Sequence, residues 1–322
     1  MSTTEPQALW ITAPGSCELR DAACQPGPDE LVVETLYSGI SRGTERLVFG
    51  GHVPETEHAT MRAPFQEGEF TFPVKYGYAA VGRVLNGDGA GEVVFVLHPH
   101  QTRFAVPSTM AMTVPDAVPA TRAILAANME TALNTIWDSG ISAGDRVVIV
   151  GCGVVGALAG YLAARMPGTD VTLVDVQRSR APLARQLGCA FATPDTAPGD
   201  ADVVIHTSAS EAGLALAIAL AGLEAKIIEA SWFGTSRPAV SLGGRFHQRR
   251  LQIIGSQVGR LPAKRAARWT LTRRLTKAIS LLSDDRLDGL VTSASEFSEL
   301  PADYAGILAN PETLCHRVTY GV

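Results

Sequence analysis

The chain has few cysteines, and none of them form a C-x-x-C pair. Five cysteines are scattered over 322 residues. This number and spacing argue against both a disulfide framework and a thiolate zinc knuckle. The five are Cys17, Cys24, Cys152, Cys189 and Cys315.

An excess of basic residues is also missing. Lysine and arginine together number 27 against 32 acidic residues, which gives a net charge of −5. Such a chain has no overall attraction to nucleic acid or to an anionic membrane. We therefore expect a small-molecule substrate, with neither nucleic acid nor membrane as a partner.

The sequence lacks a long uninterrupted apolar run as well. The longest apolar stretch, at 147–164, is broken by glycines and does not predict a membrane span. The first 20 residues show no basic segment followed by an apolar core, so they do not predict a signal peptide. These absences predict a cytoplasmic protein. With 46% hydrophobic and 18% charged residues, a chain of this length is expected to fold as two domains.

What is present first is a β-rich segment up to about residue 120. Short apolar runs at 31–40, 78–85 and 92–97 alternate with glycine, proline and aspartate turns. Residues 50–75 have no clear period and predict a long loop. Loops of this length in a compact domain often form the walls or lids of sites.

The pattern changes near residue 120, where apolar spacing predicts a helix over 117–140 that ends at Gly140. Strands and helices then alternate, which predicts βαβ units and a doubly wound parallel sheet. A long basic helix is predicted after residue 260, with Trp269, Leu275 and Leu281 inward, and the tail should end in a short strand. The predicted strands are 146–150, 170–176, 201–209, 225–234 and 251–259, and the predicted helices between them are 157–166, 184–188 and 211–222.

A glycine-rich turn, GCGVVG, follows the predicted strand 146–150 and opens a helix. In this context G-x-G-x-x-G indicates a dinucleotide site. Gly151 permits the tight turn, Gly153 lets the backbone approach a pyrophosphate, and Gly156 lets the helix pack on the strand. The helix N-terminus then offers free N–H groups to the phosphates. The candidate cofactor-binding residues are Gly151, Gly153, Val154, Val155, Gly156, Asp175, Val176, Arg180, Ser208 and Thr131.

Asp175 ends the second strand of this domain, 19 residues after Gly156. A carboxylate at this position accepts hydrogen bonds from the adenosine ribose and repels the 2′-phosphate of NADP. We therefore favour NAD over NADP. Arg178 and Arg180 follow closely and could bind a 2′-phosphate, so NADP stays an alternative cofactor. For the whole motif, the alternative is a Rossmann-like fold that binds no cofactor.

The order of parts, a β-rich segment followed by a nucleotide-binding segment and a returning tail, resembles the medium-chain dehydrogenase/reductase superfamily. The matching segments are YSGISRGTE, FPVKYGYAAVGRV, METALNTI and GDRVVIVGCGVVG. The resemblance implies an α/β chain with a GroES-like β-barrel domain, from 1–125 and 260–322, and a Rossmann domain with a doubly wound parallel sheet, over 126–259. It also implies a homodimer. The segment GISRGTE with Gly77-Tyr78 is most similar to the bacteriochlorophyllide dehydrogenase branch.

The zinc ligands of that superfamily are replaced here. Ser41 lies beside the position of the usual cysteine, Tyr78 and Ala79 occupy those of histidine and glutamate, and the third ligand position falls at 126–128. Because catalytic zinc needs three such ligands, we predict neither a catalytic nor a structural zinc. A site built from loop residues is the weaker alternative, and it would draw on His52, His58, His98, His100 and Glu67.

Without zinc, a hydrogen-bond donor must hold the substrate oxygen. Tyr78 and Thr44 are our candidate donors, with Ser41 beside them and His100 as a relay of protons to solvent. A packed aromatic ring that fills the space of the lost metal is the alternative for Tyr78. Arg42 and Arg62 are candidates for an anionic substrate group, with surface arginines as the alternative.

Three functions stay open. The first is zinc-independent, NAD-linked transfer of hydride between nicotinamide and a secondary alcohol or ketone, on a large or aromatic substrate. The second is reduction of a quinone or an enone C=C bond. The third belongs to another class, a dinucleotide-binding protein with little catalytic activity.

Overall fold

The structure is a computed structural model that describes residues 5–321. The chain divides into two compact units. The first runs to Ala127 and resumes at Leu275, and the second is Asn128–Arg274. Residues 260–274 thus lie in the second unit. The first four residues, part of the segment in which we expect no signal peptide, lie outside the described range.

The strands are named in chain order. They are β1 (Gln7–Ala13), β2 (Ser16–Asp21), β3 (Glu30–Ser41), β4 (Glu67–Gly68), β5 (Val74–Lys75), β6 (Ala80–Val84), β7 (Val93–Val96), β8 (Arg103–Pro107), β9 (Met112–Thr113), β10 (Arg146–Val150), β11 (Asp170–Val174), β12 (Ala190–Ala192), β13 (Ala201–His206), β14 (Ala221–Glu229), β15 (Gln252–Gly255), β16 (Val291–Glu296) and β17 (Cys315–Thr319).

The α-helices follow the same order. They are α1 (Arg42–Phe49), α2 (Ala120–Ala123), α3 (Ala126–Ser139), α4 (Val154–Ala163), α5 (Ala181–Gln186), α6 (Glu211–Leu220), α7 (Ala263–Ala266), α8 (Leu271–Ser280) and α9 (Leu300–Ala309).

The long strand β3 organises the first unit. Its first half pairs with β8, its second half pairs with β17, and β6 also pairs with it, all antiparallel. The sheet order is β16-β17-β3-β6-β7-β9, and a second sheet has the order β2-β1-β5-β4. Strand β17 follows the second unit in the chain, so the tail returns to pair with β3 in the first unit. A core lies against β3, and its members are Val33, Ala80, Val84, Val94, Val96, Phe104 and Val106.

The second unit is built on a six-stranded parallel sheet. Its order is β12-β11-β10-β13-β14-β15, which corresponds to 3-2-1-4-5-6 along the chain. This is the order of a doubly wound dinucleotide-binding fold, so the predicted α/β fold class is confirmed. The order reverses between β10 and β13, and ligands of such sheets bind at the carboxyl ends of the strands at this point.

The predicted single helix after residue 260 is wrong, because α7 and α8 are separated by residues 267–270. Thr270 starts the second helix: its Oγ1 accepts a hydrogen bond from the N–H of Arg273 at 3.1 Å, which is the bond of an N-cap. Leu275 is buried as predicted, whereas Trp269 and Leu281 are only half-buried. The buried cation of this segment is Arg274, which pairs with Glu130 at 3.0 Å.

The other helix and strand boundaries differ less from the predicted ones. The predicted helix 117–140 is divided into α2 and α3, and the glycine after it, Gly140, has a positive φ of 67° as expected for a helix end. Strand β14 begins at Ala221 and ends at Glu229, so the predicted strand 225–234 extends too far. Residues 50–75 are largely irregular, as predicted, with only a 3-10 turn and the short β4 and β5. Among the residues described, no helix has both the length and the apolar character needed to cross a membrane.

Candidate functional site

Three hydroxyl-bearing residues come together in the first unit. Ser41 ends β3, Thr44 lies in the first turn of α1, and Tyr78 precedes β6. The Tyr78 phenol shares hydrogen bonds with the side chains of Ser41 and Thr44. Burial of the phenol and the nearby charge of Glu45 raise the pKa of Tyr78 well above its usual range. The hydroxyl cluster (Ser41, Thr44 and Tyr78) therefore holds a neutral phenol that can donate a hydrogen bond.

Glu45 follows Thr44 in α1, and its carboxylate is completely buried. It accepts hydrogen bonds from the backbone N–H of Ser41 at 2.7 Å, from Nε2 of His100 at 3.0 Å and from the hydroxyl of Tyr304 at 2.6 Å. The backbone that carries Ser41 is thus tied to a buried charge whose partners come from three separate segments of the chain.

His100 is also completely buried. Its Nδ1 atom lies 2.7 Å from Oγ of Ser38, which in turn lies 2.8 Å from the hydroxyl of Tyr320. Both nitrogens of the ring are therefore bound inside the unit. The predicted relay from His100 to solvent is not a direct one in this arrangement, because both ring nitrogens are bonded to buried side chains.

The residues that the resemblance places at or beside the zinc positions do not fit zinc. Ser41, Tyr78 and Ala79 offer two hydroxyl groups and a methyl group, and Ala126–Asn128 offers no thiolate, imidazole or carboxylate. The thiol opposite Ser41 in the sheet is Cys315. Burial, with the charge of Glu45, raises its pKa to about 12, so it is a neutral thiol at neutral pH.

The alternative loop ligands are dispersed among other contacts. His98 stacks on Phe104 with ring centres 3.7 Å apart, His58 bonds to the carbonyl of Val53, and Glu67 pairs with Lys75. Over residues 5–321, no group of three histidine, cysteine or acidic side chains has the geometry to hold a metal ion.

Both candidate arginines contact their own chain. Nε of Arg42 donates to the carbonyl of Leu308 at 2.9 Å. Arg62 donates to the carbonyls of Gln66 and Gly68 and to the carboxylate of Glu69, each at 3.0 Å. Arg42 thus joins α1 to α9, whereas Arg62 joins parts of the loop at 50–75.

The glycine turn of the second unit has the predicted form. Gly151 follows β10 with a φ of +107°, a conformation that favours glycine. A Cβ atom on Gly156 would lie 2.0 Å from the carbonyl oxygen of Gly151, so the helix packs too closely for any side chain there. A Cβ atom on Gly153 would meet nothing within 4 Å. Space is therefore open at Gly153, where Val154 and Val155 begin α4 and no side chain caps their N–H groups.

Asp175 joins the end of β11 to this turn. Its carboxylate accepts the N–H of Cys152 at 2.7 Å and the N–H of Gln177 at 2.8 Å. Val176 beside it is 75% exposed, whereas Arg180 is buried. Of the two arginines that kept NADP open, only Arg178 is exposed.

The remaining predicted cofactor residues are Thr131 and Ser208. Thr131 lies in α3, half-buried, where its carbonyl accepts a hydrogen bond from the hydroxyl of Thr135 at 2.9 Å. Ser208 lies after β13 and is exposed. A Cβ atom on Gly151 would approach the backbone nitrogen of Ser208 to 2.8 Å, so Ser208 forms a wall next to the glycine turn.

A histidine and a glutamate that were not predicted from the sequence as site residues lie at the same edge of the sheet as Ser208. His206 ends β13 and is directly opposite Glu229 at the end of β14. Nδ1 of His206 lies 2.7 Å from Oε2 of Glu229, and Nε2 lies 2.7 Å from Oγ of Ser208. The predicted strands 201–209 and 225–234 ran past both residues, so the sequence did not place them at the carboxyl ends of the strands, where ligands of such sheets bind.

No family model matches the chain. Among curated proteins, an uncharacterised zinc-type alcohol dehydrogenase-like protein from Haemophilus influenzae is 23% identical over 220 residues. The match covers 64% of this chain and 60% of that relative, so the chain spans less than two thirds of the relative's length.

Solved structures match almost the whole chain. A protein from Sinorhizobium meliloti, assigned as a zinc-binding dehydrogenase and bound to NADP, has 20% identity and a TM-score of 0.78, with 98% of this chain and 100% of that chain covered. L-idonate 5-dehydrogenase from Escherichia coli has 12% identity and a TM-score of 0.80, with 98% of each chain covered. A short chain alcohol dehydrogenase from Escherichia coli, complexed with NADH, has 16% identity and a TM-score of 0.76, with 98% of this chain and 99% of that chain covered. This chain therefore has the fold of the medium-chain, zinc-type alcohol dehydrogenase-like superfamily.

Proposed function

We propose that this chain is a dehydrogenase that binds NAD(H) and catalyses hydride transfer between the nicotinamide and a secondary alcohol or ketone without zinc. The observation that carries the proposal is the hydroxyl cluster, in which the Tyr78 phenol bonds to Ser41 and Thr44. By the resemblance described above, Tyr78 stands at a zinc-ligand position and Ser41 lies beside another. Hydride chemistry is supplied by the nicotinamide when it is bound.

The second unit supports the dinucleotide part of this proposal. The residues fit a diphosphate, because the turn at 151–156 leaves open space at Gly153 and uncapped N–H groups at the start of α4. Asp175 lies beside the same turn, and its carboxylate retains lone pairs for ribose hydroxyls. A carboxylate there disfavours an added 2′-phosphate, which supports NAD over NADP.

The first unit supports the part that concerns the substrate oxygen. A phenol with a raised pKa stays protonated at neutral pH, so Tyr78 is suited to donate a hydrogen bond to the carbonyl oxygen of a ketone or to the alkoxide that precedes it. Ser41 and Thr44 bond to this phenol and orient it. Glu45 holds the backbone of Ser41 by its 2.7 Å hydrogen bond and so fixes the start of α1.

The proposed independence from zinc follows from the donor set. Hydroxyl and methyl groups stand at or beside the positions of the expected ligands, and in the part of the chain that the structure describes no group of three histidine, cysteine or acidic side chains could hold a metal ion. We expect the purified protein to contain less than stoichiometric zinc and to keep its activity after treatment with 1,10-phenanthroline.

The test has two parts. Titration of the protein with NADH and NADPH by cofactor fluorescence should show tighter binding of NADH. Transfer of deuterium from 4-deuterated NADH should then be followed with a panel of ketones, aldehydes, quinones and enones. Transfer to ketones supports the proposal. Transfer to quinones or enones alone, a stoichiometric zinc ion required for turnover, or binding without any transfer would each reject it.

A further inference from the structure

A chain of hydrogen bonds runs along the carboxyl edge of the parallel sheet, through Glu229, His206 and Ser208. We call these three residues the histidine cluster. The two bonds of the imidazole are both 2.7 Å long, and His206 is completely buried. The other carboxylate oxygen of Glu229 accepts the N–H of Ser231 at 2.8 Å, which fixes the orientation of the carboxylate.

The direction of these bonds follows from the chemistry of the groups. An ionised carboxylate only accepts, so the Nδ1 atom that faces Glu229 carries the proton. In the neutral ring Nε2 is then an acceptor and takes the hydroxyl proton of Ser208. Oγ of Ser210 lies 2.9 Å from Oγ of Ser208 and itself accepts the N–H of Gly213 at 3.0 Å. Ser210 thus has its hydroxyl proton available for Ser208, and the Ser208 oxygen is left with one lone pair as an acceptor.

This acceptor lies at the point where the strand order reverses. Ser208 forms the wall beside Gly151 on the β13 side, whereas Asp175 lies on the β11 side of the same turn. If Asp175 meets the adenosine ribose, the second half of a dinucleotide extends toward β13. The ligand group that a hydroxyl acceptor prefers there is a second hydroxyl, not a phosphate oxygen.

We propose that His206 and Glu229 are positioning residues that hold Ser208 as an acceptor for a hydroxyl of the ribose in the nicotinamide half of the cofactor. The inference rests on the proposed function and adds to it how the second ribose is recognised. It assigns to the histidine cluster a role in affinity for ligands that carry this ribose.

The same order of groups, carboxylate, imidazole and hydroxyl, occurs in serine hydrolases. Acyl transfer also needs N–H donors for an oxyanion beside the nucleophile. The N–H that follows Ser208, that of Ala209, is already donated to Oγ of Ser231 at 3.1 Å. The arrangement therefore favours a binding role for Ser208.

A substitution at Gly213 can disturb the histidine cluster without replacing any of its three residues. A Cβ atom there would lie 2.1 Å from Oγ of Ser208 and 2.8 Å from Nε2 of His206. The serine side chain can rotate away from such a methyl group, and alanine favours the helix α6 that contains this position. Gly213→Ala should therefore displace the Ser208 hydroxyl while the fold is kept. Gly306→Ala in α9 is the matched control, since a Cβ atom there meets nothing within 4 Å.

The experiment measures Kd by calorimetry for NADH, ADP-ribose and AMP. We expect Gly213→Ala and His206→Leu to raise the Kd for NADH and for ADP-ribose at least about fivefold. The Kd for AMP, which lacks the second ribose, should not change. Gly306→Ala should change none of the three. Ser208→Ala should also weaken the binding of NADH and ADP-ribose. Combined with Gly213→Ala it should cause no further loss of affinity, because both changes remove the same interaction.

Two results would overturn the inference. One is an equal loss of affinity for AMP. The other is undiminished NADH binding by a Gly213→Ala protein that keeps the wild-type unfolding midpoint. The alanine variant keeps the test decisive even where His206→Leu fails to fold. Wild-type protein that binds neither NADH nor ADP-ribose would instead reject the proposed function, so the two failures are distinct.

Discussion

Glu45 and His100 form a completely buried pair, with Nε2 of the histidine 3.0 Å from Oε2 of the glutamate. The same carboxylate also accepts from Ser41 and Tyr304. Glu45→Ala would leave three buried donors without an acceptor. We expect a loss of about 3–5 kcal/mol in the free energy of unfolding, measured with urea.

The control for this prediction is Glu55→Ala, which removes an exposed glutamate in the loop of the same unit. Its effect should stay within about 0.5 kcal/mol. If Glu45→Ala costs less than about 1 kcal/mol, the carboxylate does not organise this region as described.

Tyr78→Phe tests the hydrogen-bond donor of the hydroxyl cluster. Removal of the phenol oxygen should lower kcat at least about tenfold, which corresponds to about 1.4 kcal/mol of transition-state stabilisation. The Kd for NADH should not change, because the dinucleotide residues belong to the other unit. The matched control is Tyr76→Phe, another buried tyrosine whose ring centre lies 6.1 Å from that of Tyr78. An unchanged kcat in Tyr78→Phe would show that this ring only fills space.

The geometry of the candidate dinucleotide site was predictable in large part because its signals are local. The turn at 151–156 follows an apolar strand directly, and Asp175 stands at the end of the next strand. Ser41 and Thr44 were named from the family resemblance, and they lie close together because they are on either side of one strand end. The predicted fold class followed from the alternation of strands and helices.

What the sequence did not predict depends on contacts between distant segments. The bond from Tyr304 to Glu45 spans 259 positions and exists because α9 and β17 return to the first unit. Likewise, His206 and Glu229 meet only through the register of two parallel strands. Neither relation leaves a periodic signal in the sequence, so both required the tertiary structure.

The two glycines of the turn should respond differently to alanine. Gly156→Ala places a methyl group 2.0 Å from a carbonyl oxygen of the main chain, so we expect a loss of stability of about 2 kcal/mol together with weaker NADH binding. Gly153→Ala meets no atom within 4 Å and should change stability by no more than about 1 kcal/mol. Its Kd for NADH should nevertheless rise at least about tenfold, since the methyl group occupies the space for the diphosphate. Unchanged binding in Gly153→Ala would place the diphosphate elsewhere.

Asp175→Ala should alter the choice of cofactor. Loss of the carboxylate removes both an acceptor for ribose hydroxyls and the repulsion of a 2′-phosphate. We expect the ratio of the Kd for NADPH to that for NADH to fall at least about tenfold, measured by fluorescence titration. Asp170→Ala, at the other end of β11 and exposed, is the control and should keep the wild-type ratio. An unaltered ratio in Asp175→Ala would mean that another group selects the cofactor.

Stability should fall on acidification because of His98. Burial lowers the pKa of His98 from its ordinary value of 6.5 to about 3, and its ring stacks on Phe104. Between these two pH values the unfolded chain binds a proton that the folded chain does not, so the folded state loses stability as the pH falls below about 6.5. At pH 5.5 this contribution is about 1 kcal/mol relative to pH 7.5, by the relation between pKa shifts and free energy. Urea unfolding gives the difference in the free energy of unfolding between pH 7.5 and pH 5.5. This difference should be smaller by that amount for His98→Gln than for the wild type. His247→Gln, which replaces an exposed histidine, should keep the wild-type difference; equal differences for all three proteins would mean that His98 is as easily protonated in the folded state as in the unfolded chain.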